Sequence, residues 1–415
     1  MALLALAQAV NLGWVLLATR LYGPDAFGRY ATLFAVAAVV GGASALRLDV
    51  AATTATDRDA VVLLRTAVRF NLAGAALLAV GAAVLGGATG WITPLEVLTL
   101  GASTAALGLA TTMVFARTRD RRYTLVAGGK LVSAVVCVVV QIALAPVALT
   151  ASTLLASVAA GYTASALLLC RVRPSPPSET LPGTRRVLGR HRAFLVASAP
   201  ANLVGAVASN LPVLVVGTAL GGAAAADVAL ALRVGQLPSA LFGQALMPML
   251  FGEIAYQLRS SPATAARSYG RALVRLAVVG LLSLTALALG AWAVAPTVLG
   301  AEWTGAGVAL LLLVPALAAQ FAVTPLSLTL NATGRTGQQL AWDVLRLVAT
   351  GVVFLPGVLG WLGLSACLAL YSAVTVLVYG VHVLLVRAAL GAHLPAEPTT
   401  DAMPPERAGR EHVPA

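Results

Sequence analysis

The sequence predicts an all-α integral membrane protein: about twelve transmembrane helices in two six-helix bundles, related by a pseudo-twofold axis along the membrane normal. Three observations lead there. Of 415 residues, 59% are hydrophobic and 10% charged, with a mean hydropathy of +0.91; a soluble globular chain carries roughly 25% charged residues. The apolar residues fall into runs near the ~20 residues that cross a bilayer as a helix. Basic residues gather in alternate connections between those runs, as cytoplasmic loops do.

The first six spans are predicted at 2–20, 30–46, 67–90, 95–115, 124–146 and 150–170, and the last six at 194–218, 224–249, 272–296, 305–328, 341–360 and 364–386. Met1 opens into "MALLALAQAVNLGWVLLA" with no basic stretch before it, so residues 2–20 read as a span rather than a cleaved signal. Nearly all of the 27 Lys and Arg residues then fall on one side. Arg47, Arg58, Arg65 and Arg69 follow span 2; Arg117, Arg119, Arg121, Arg122 and Lys130 follow span 4; further arginines follow spans 6, 8 and 10 and close the chain. Only Arg20 and Arg29 lie opposite, so both termini are expected in the cytoplasm.

The basic, Pro-rich stretch "RVRPSPPSETLPGTRRVLGRHR" (171–192) divides the chain into an N-terminal bundle (1–170) and a C-terminal bundle (193–387). It reads as a solvated cytoplasmic linker, and the polar tail 388–415 as a disordered cytoplasmic segment. The bundles echo one another: "NLGWVLLATRLYG" (11–23) aligns without gaps on "NLPVLVVGTALGG" (210–222). Six spans per half give both halves one orientation, which places the pseudo-axis along the membrane normal and a substrate site between the halves.

Several classes are excluded. The net charge of +12 is loop-borne and lacks the aromatic-interleaved basic patch of a nucleic-acid site, so no nucleic-acid partner is expected. Cys137, Cys170 and Cys367 are far apart, and the four histidines form no metal-binding pair; neither disulfide, metal nor cofactor is expected.

Polar residues inside spans carry the functional signal. "ALRVGQLPSALFGQALMP" (231–248) puts Arg233 in an apolar run, with Gln236, Ala240 and Gln244 on its stripe at 3.6 residues per turn. A charge in a helix centre costs about 2.5–3.5 kcal/mol on insertion scales. Arg233 therefore reads either as the wall of a water-filled cavity or as a packed ion pair or snorkelling side chain, with Pro238 marking a broken helix. Span 7 offers Asn202, Ser209 and Asn210, and span 1 offers Gln8, Asn11 and Thr19, each serving as helix–helix glue or as cavity lining. Arg20 lies at the outer end of span 1. Arg47 and Asp49 sit at the cytoplasmic mouth of span 2, either as a solvated helix end or as a gating or ligand group. Asp343 and Arg346, three apart in span 11, read first as a local ion pair.

These residues resemble the Wzx-type polysaccharide and O-antigen flippases of the multidrug/oligosaccharidyl-lipid/polysaccharide exporter superfamily. "RLYGPDAFGRYA" (20–31) resembles that family's first outer loop, and "LRLDVAATTATDRDAVVLL" (46–64) the segment after its second helix. Residues 198–255 are similar to its seventh and eighth helices, and 298–340 to its ninth-to-tenth region. Asp227 and Ala229 replace the family's usual glycine and tyrosine in the second half.

The resemblance implies that a polyprenyl-pyrophosphate-linked oligosaccharide is flipped across the bacterial cytoplasmic membrane by alternating access, for polysaccharide biosynthesis and without enzymatic chemistry. Arg233 would neutralise pyrophosphate or acidic sugar. Gln236, Gln244, Asn11, Asn202 and Asn210 would meet glycan hydroxyls; Arg47 and Arg20 are further candidates for binding the substrate, and Asp49 and Asp343 are candidates for coupling an ion. The lipid-linked oligosaccharide and the lipid bilayer would be its partners, with a polysaccharide polymerase and glycosyltransferases beside it. A cation-coupled drug exporter of the same superfamily is the alternative, then a membrane glycan polymerase or ligase.

Overall fold

The computed structural model describes residues 2–170, 182–239, 250, 253–254, 257–258, 261–327, 329–333 and 335–392. Among them every regular element is helical. The N-terminal half holds α1 (Ala2–Ala43), α2 (Leu48–Thr54), α3 (Asp57–Thr89), α4 (Pro94–Arg119), α5 (Tyr123–Leu144) and α6 (Ala151–Cys170). A short α7 (Thr184–Arg190) leads to α8 (Arg192–Ala219), α9 (Gly222–Gly235), α10 (Pro262–Val298), α11 (Thr304–Val323), α12 (Thr336–Val358) and α13 (Leu364–Gly391). Among the described residues, ten helical runs are long and apolar enough to cross a membrane. The first of them contains two predicted spans, and α9 begins the predicted eighth.

Spans 1 and 2 lack the predicted loop over residues 21–29. One residue makes the break: Gly23 has φ 67° and ψ 170°, and Pro24 restarts the helix at once. Glycine tolerates that backbone, and proline's fixed φ suits a first helical turn. The same device recurs between α8 and α9, where Gly221 has φ 94° and ψ 175°. The backbone thus pairs Gly23 with Gly221, one residue out of register from the sequence alignment, which pairs it with Gly222.

Packing repeats as well. In the N-terminal half α3 lies on α4, α4 on α6, α5 on α6, and α1 on both α4 and α5. In the C-terminal half α10 lies on α11, α11 on α13, α12 on α13, α8 on α12 and α9 on α11. The third helices outrun their predicted spans: α3 has 33 residues and α10 has 37, well beyond the ~20 a bilayer needs. Their extra turns carry Arg58 and Arg65 in one half and Arg267 and Arg271 in the other, so hydropathy alone missed these polar turns.

The Pro-rich part of the predicted linker (171–181) and most of the predicted tail (393–415) lie outside the described residues. The end of the linker is helical rather than solvated coil. Within α7, Val187 is fully buried against the apolar cluster of α2 and α3. Arg190 Nη1 lies 2.5 Å from Asp59 Oδ2, with His191 Nε2 at 3.5 Å from the same oxygen. Helix α13 likewise continues to Gly391, past the predicted boundary at 388.

The halves meet where the second arm of α1 (24–43) runs antiparallel to α8 and beside α9. At one end, a Cβ on Gly28 would fall 1.7 Å from the Gly222 carbonyl oxygen; further along, one on Gly217 would fall 1.9 Å from Thr32 Oγ1. At the other end, Asn202 Nδ2 donates to the Gly42 carbonyl, 3.0 Å. Small residues permit this approach, since lipid offers no hydrophobic drive between helices and close packing must supply the attraction. Gly28→Ala is expected to cost about 1–3 kcal/mol through overpacking and to lower the melting temperature of the purified protein. Gly13→Ala, on α1 with no atom near its would-be Cβ, should leave it unchanged or slightly raised.

Candidate functional site

The site is built where α9 stops. Gly235 presses on α11, and a Cβ there would fall 2.3 Å from Leu317 Cδ1. Gln236 then caps the helix with φ −85° and ψ −7°. Pro238 explains the stop, because it lacks the N–H that would donate to Val234 and its ring crowds that turn. Arg233 stands in this last turn, about 16 Å along α9 from Gly222 at 1.5 Å per residue, near the middle of a hydrocarbon layer about 30 Å thick.

Its guanidinium crosses to the other half. Arg233 Nη2 donates to the Tyr30 hydroxyl, 3.0 Å. The guanidinium carbon lies 4.8 Å from the Trp14 ring centroid, 5.8 Å from that of Tyr30 and 6.0 Å from that of Phe34. The rings brace one another, with Trp14 edge-on to Tyr30 and Tyr30 stacked on Phe34, both at 5.7 Å. A desolvated cation–π contact contributes about 2 kcal/mol and a hydrogen bond from a charged group about 1.5–3 kcal/mol. Together they are comparable with the insertion cost of the charge. The fork is still incomplete, since Nη1 is buried with no hydrogen-bond partner. Among the described residues no carboxylate pairs with Arg233, so of the two sequence readings the ion pair is not the one observed.

Arg233 lines a cavity of about 510 Å³, within the 300–1,000 Å³ typical of ligand pockets. Its wall comes mainly from the N-terminal half: Gln8, Asn11 and Trp14 on the first arm of α1, Tyr30 and Phe34 on the second, Thr111 on α4, Lys130, Ser133 and Cys137 on α5, and Tyr162 and Ser165 on α6. The C-terminal half contributes residues 233–237 except Gly235. Among the described residues, the lining is therefore drawn mainly from the N-terminal half and completed by the end of α9. Its described lining holds two cations, Lys130 and Arg233, and no Asp or Glu. Such a wall attracts anions and offers amides and hydroxyls for neutral polar groups.

Of the residues singled out from sequence, Arg233, Gln236 and Asn11 come together here, with Gln8. Gln244 and Ala240 lie outside the described residues. Because α9 ends at Gly235, Gln236 sits in a turn rather than on a continuing helical stripe. Asn202 and Asn210 are not in the wall: Asn202 ties α8 to Gly42, and Asn210 donates to Ala206 of its own helix, 2.8 Å. Arg20 is exposed at the end of the first arm of α1.

Arg47 takes a left-handed backbone (φ 61°) before α2, with Nε buried and unpartnered, and Asp49 is buried in the first turn of α2, where its Oδ1 accepts from Val50 N. Asp343 belongs to a separate polar group in the C-terminal half. It lies 4.0 Å from Arg346 and accepts from Gln339 Nε2 at 3.3 Å, while His382 Nε2 contacts Gln339 Oε1 at 3.2 Å. The predicted local ion pair is thus present but long, inside a larger network.

Sequence reasoning assigned Lys130 to a loop and gave Trp14, Tyr30 and Tyr162 no role. Lys130 was legible: α5 starts at Tyr123, so the lysine stands about 10 Å inside the helix, followed by an almost unbroken apolar run. The aromatic residues carried no comparable mark, because a ring in an apolar helix looks the same whether it packs in a core or holds a cation.

The fold resembles those of solved MOP superfamily transporters. The fold resembles a lipid II flippase, MurJ, in an inward closed conformation, with TM-score 0.70 and 11% identity over 95% of this chain and 90% of that one. It also resembles an inward-facing multidrug resistance MATE family transporter of the MOP superfamily (TM-score 0.57, 16% identity, 94% of each chain). A MOP superfamily transporter from Pyrococcus furiosus, described by the reverse polarity of its binding pocket, gives TM-score 0.52 at 14% identity over 95% of this chain and 93% of that one. No curated protein matches by sequence. The family model for polysaccharide biosynthesis proteins matches residues 16–307, and the chain belongs to that family.

Lys130 is the sole lysine of the chain, which makes the cavity chemically addressable. A water-soluble amine-reactive reagent is expected to modify it, read by mass spectrometry of the α5 peptide, and excess inorganic pyrophosphate to slow that reaction. Labelling indifferent to pyrophosphate would separate Lys130 from any anion site.

Proposed function

We propose that this membrane transporter flips a polyprenyl-pyrophosphate-linked oligosaccharide across the cytoplasmic membrane by alternating access. The observation that carries the reading is a cavity at membrane depth with Lys130 and Arg233 in its wall and no described carboxylate. Two fixed cations in a low-dielectric enclosure suit a pyrophosphate or an acidic sugar. Guanidinium forks and ammonium groups give phosphate oxygens charge-assisted hydrogen bonds stronger than neutral ones. Gln8, Asn11, Gln236, Thr111 and Ser133 offer exchangeable bonds to sugar hydroxyls. The prenyl tail stays in lipid throughout. Membership of the polysaccharide biosynthesis family supports a glycan cargo, and one neighbour in fold is described as a lipid II flippase.

In this reading the arginine-rich side, with both termini, faces the cytoplasm. A cargo assembled there reaches the outer leaflet for a polymerase and glycosyltransferases to use. No covalent step is asked of the protein. A cation-coupled drug exporter would favour carboxylates in the cavity, and the described wall has none. Asp49 and Asp343, offered above for ion coupling, lie outside the wall.

In proteoliposomes carrying a fluorescent polyprenyl-pyrophosphate oligosaccharide, wild-type protein should expose the probe to an external hydrolase. Arg233→Ala and Lys130→Ala should each slow that exposure roughly tenfold to a hundredfold, the equivalent of losing one charge-assisted bond. Arg233→Lys should recover part of the rate. Thr297→Ala, an exposed residue that bonds only within its own helix, serves as the unchanged control. Undiminished rates in both alanine variants would remove the cavity from the mechanism.

A further inference from the structure

Arg233 is held in a way that suits release. The protein contains a direct contrast in Arg29, which also lies over an indole, 4.3 Å from the Trp91 centroid, and donates to the Trp91 carbonyl. Arg29 in addition grips Glu96 through two nitrogens, at 2.9 and 3.1 Å. Its charge is neutralised by Glu96, so it acts as a permanent clamp between α1 and α4. Arg233 has the aromatic contacts without the carboxylate. One hydroxyl takes Nη2, and Nη1 is buried with no acceptor.

Among the described residues, every group that holds Arg233 belongs to α1 of the N-terminal half, while Arg233 itself belongs to α9 of the C-terminal half. The guanidinium is therefore a bridge between the halves as well as part of the cavity wall. The ring cluster is largely buried and extends across the same boundary, with Phe27 tilted on Tyr30 at 5.7 Å and edge-on to Trp303 at 5.6 Å. The mobile partner in an exchange is then the arginine, which stands at the broken end of α9 just before Gly235 and Pro238.

We propose that Arg233 is a competitive latch: in the empty protein the Trp14–Tyr30–Phe34 box holds its guanidinium, and an incoming phosphate group takes it away, freeing α9 from α1. This regulation rests on the anionic-cargo reading above. A phosphate presents paired anionic oxygens to both arms of the fork, whereas the box presents one neutral hydroxyl and ring faces, so the cargo wins the exchange. The consequence is that binding and unlocking are one event. Linkage then fixes the sign of a test: if the box competes with cargo, weakening it must strengthen anion binding, because less of the protein is locked in the arrangement the anion has to undo.

The experiment measures equilibrium binding of radiolabelled inorganic pyrophosphate, and in parallel of polyprenyl pyrophosphate in micelles, to the detergent-purified full chain. Wild type, Arg233→Ala, Trp14→Leu and Tyr30→Phe are compared, each confirmed as folded by gel filtration and thermal unfolding. The expected result is loss of binding in Arg233→Ala, a gain of about fivefold to tenfold in Trp14→Leu, and a gain of about twofold to threefold in Tyr30→Phe. Tyr30→Phe preserves the ring and carries the test alone if Trp14→Leu does not fold. Equal gains for both probes assign recognition to the pyrophosphate itself; gains confined to the prenylated probe make the lipid-borne headgroup the effector, and both support the latch. Wild-type binding with equal or weaker binding in Tyr30→Phe and Trp14→Leu overturns the latch and leaves the anion site standing. Failure of wild type to bind either probe overturns the cargo reading, and the latch with it.

Discussion

A single arginine in the middle of the membrane constrains much of what surrounds it. Removing Arg233 from water is costly, and the fold meets that cost with rings rather than a carboxylate. Trp14, Tyr30 and Phe34 can serve only because the two arms of α1 fold back on each other at Gly23, which places residue 14 of one arm beside residue 30 of the other. The guanidinium reaches them only because α9 lies against α1, and α9 lies there because Gly28, Gly217 and Gly222 let the backbones approach. The glycine turns, the small-residue contacts and the aromatic box form one dependent chain.

Internal repetition explains where the halves agree and where they part. Both halves use a positive-φ glycine between their first two spans, both extend their third helix beyond the bilayer with arginines, and both order their helix contacts alike. The cavity breaks the symmetry. Its described wall comes mainly from the N-terminal half, while the corresponding region of the C-terminal half holds the Gln339–Asp343–Arg346–His382 network. Among the described residues, the C-terminal half would touch a bound group through the end of α9. Alternating access built this way needs one contact to be remade for the halves to respond to cargo.

The features most legible in the sequence were those written in hydropathy. Apolar runs located the membrane helices, and arginine placement separated the two sides, because desolvation acts on every residue of a span. Breaks and ends were harder. Gly23–Pro24 reads as a loop signal, yet here it makes a one-residue kink. The arginine-bearing turns of α3 and α10 read as loop because a helix that leaves the bilayer no longer has to be apolar. Arg233 was legible as an anomaly of charge, but its partners were not. A stripe drawn on an ideal helix pointed to Gln244, which lies outside the described residues, while the described groups that hold the guanidinium lie on α1, about two hundred positions away. Lys130 was lost to a different error: it lies inside predicted span 5 (124–146) yet was counted with the loop charges after span 4.

Charge pairing separates the roles of the ionic groups. Where charges hold the fold they are matched: Arg29 with Glu96, Arg117 with Asp120, Arg119 with Asp57, and Arg190 and His191 with Asp59. Breaking the partly buried pairs among these, Arg29 with Glu96 and Arg117 with Asp120, leaves an uncompensated charge and destabilises, so these two arginines are fixed parts of the structure. Lys130 and Arg233 follow the other rule. They stand inside the membrane, in the wall of the same cavity, with no described carboxylate beside them. A protein needing only stability would place acids there, or replace both residues with apolar ones at a gain. Retaining two unmatched cations around a space large enough for a headgroup is explained when the missing anion arrives with the cargo.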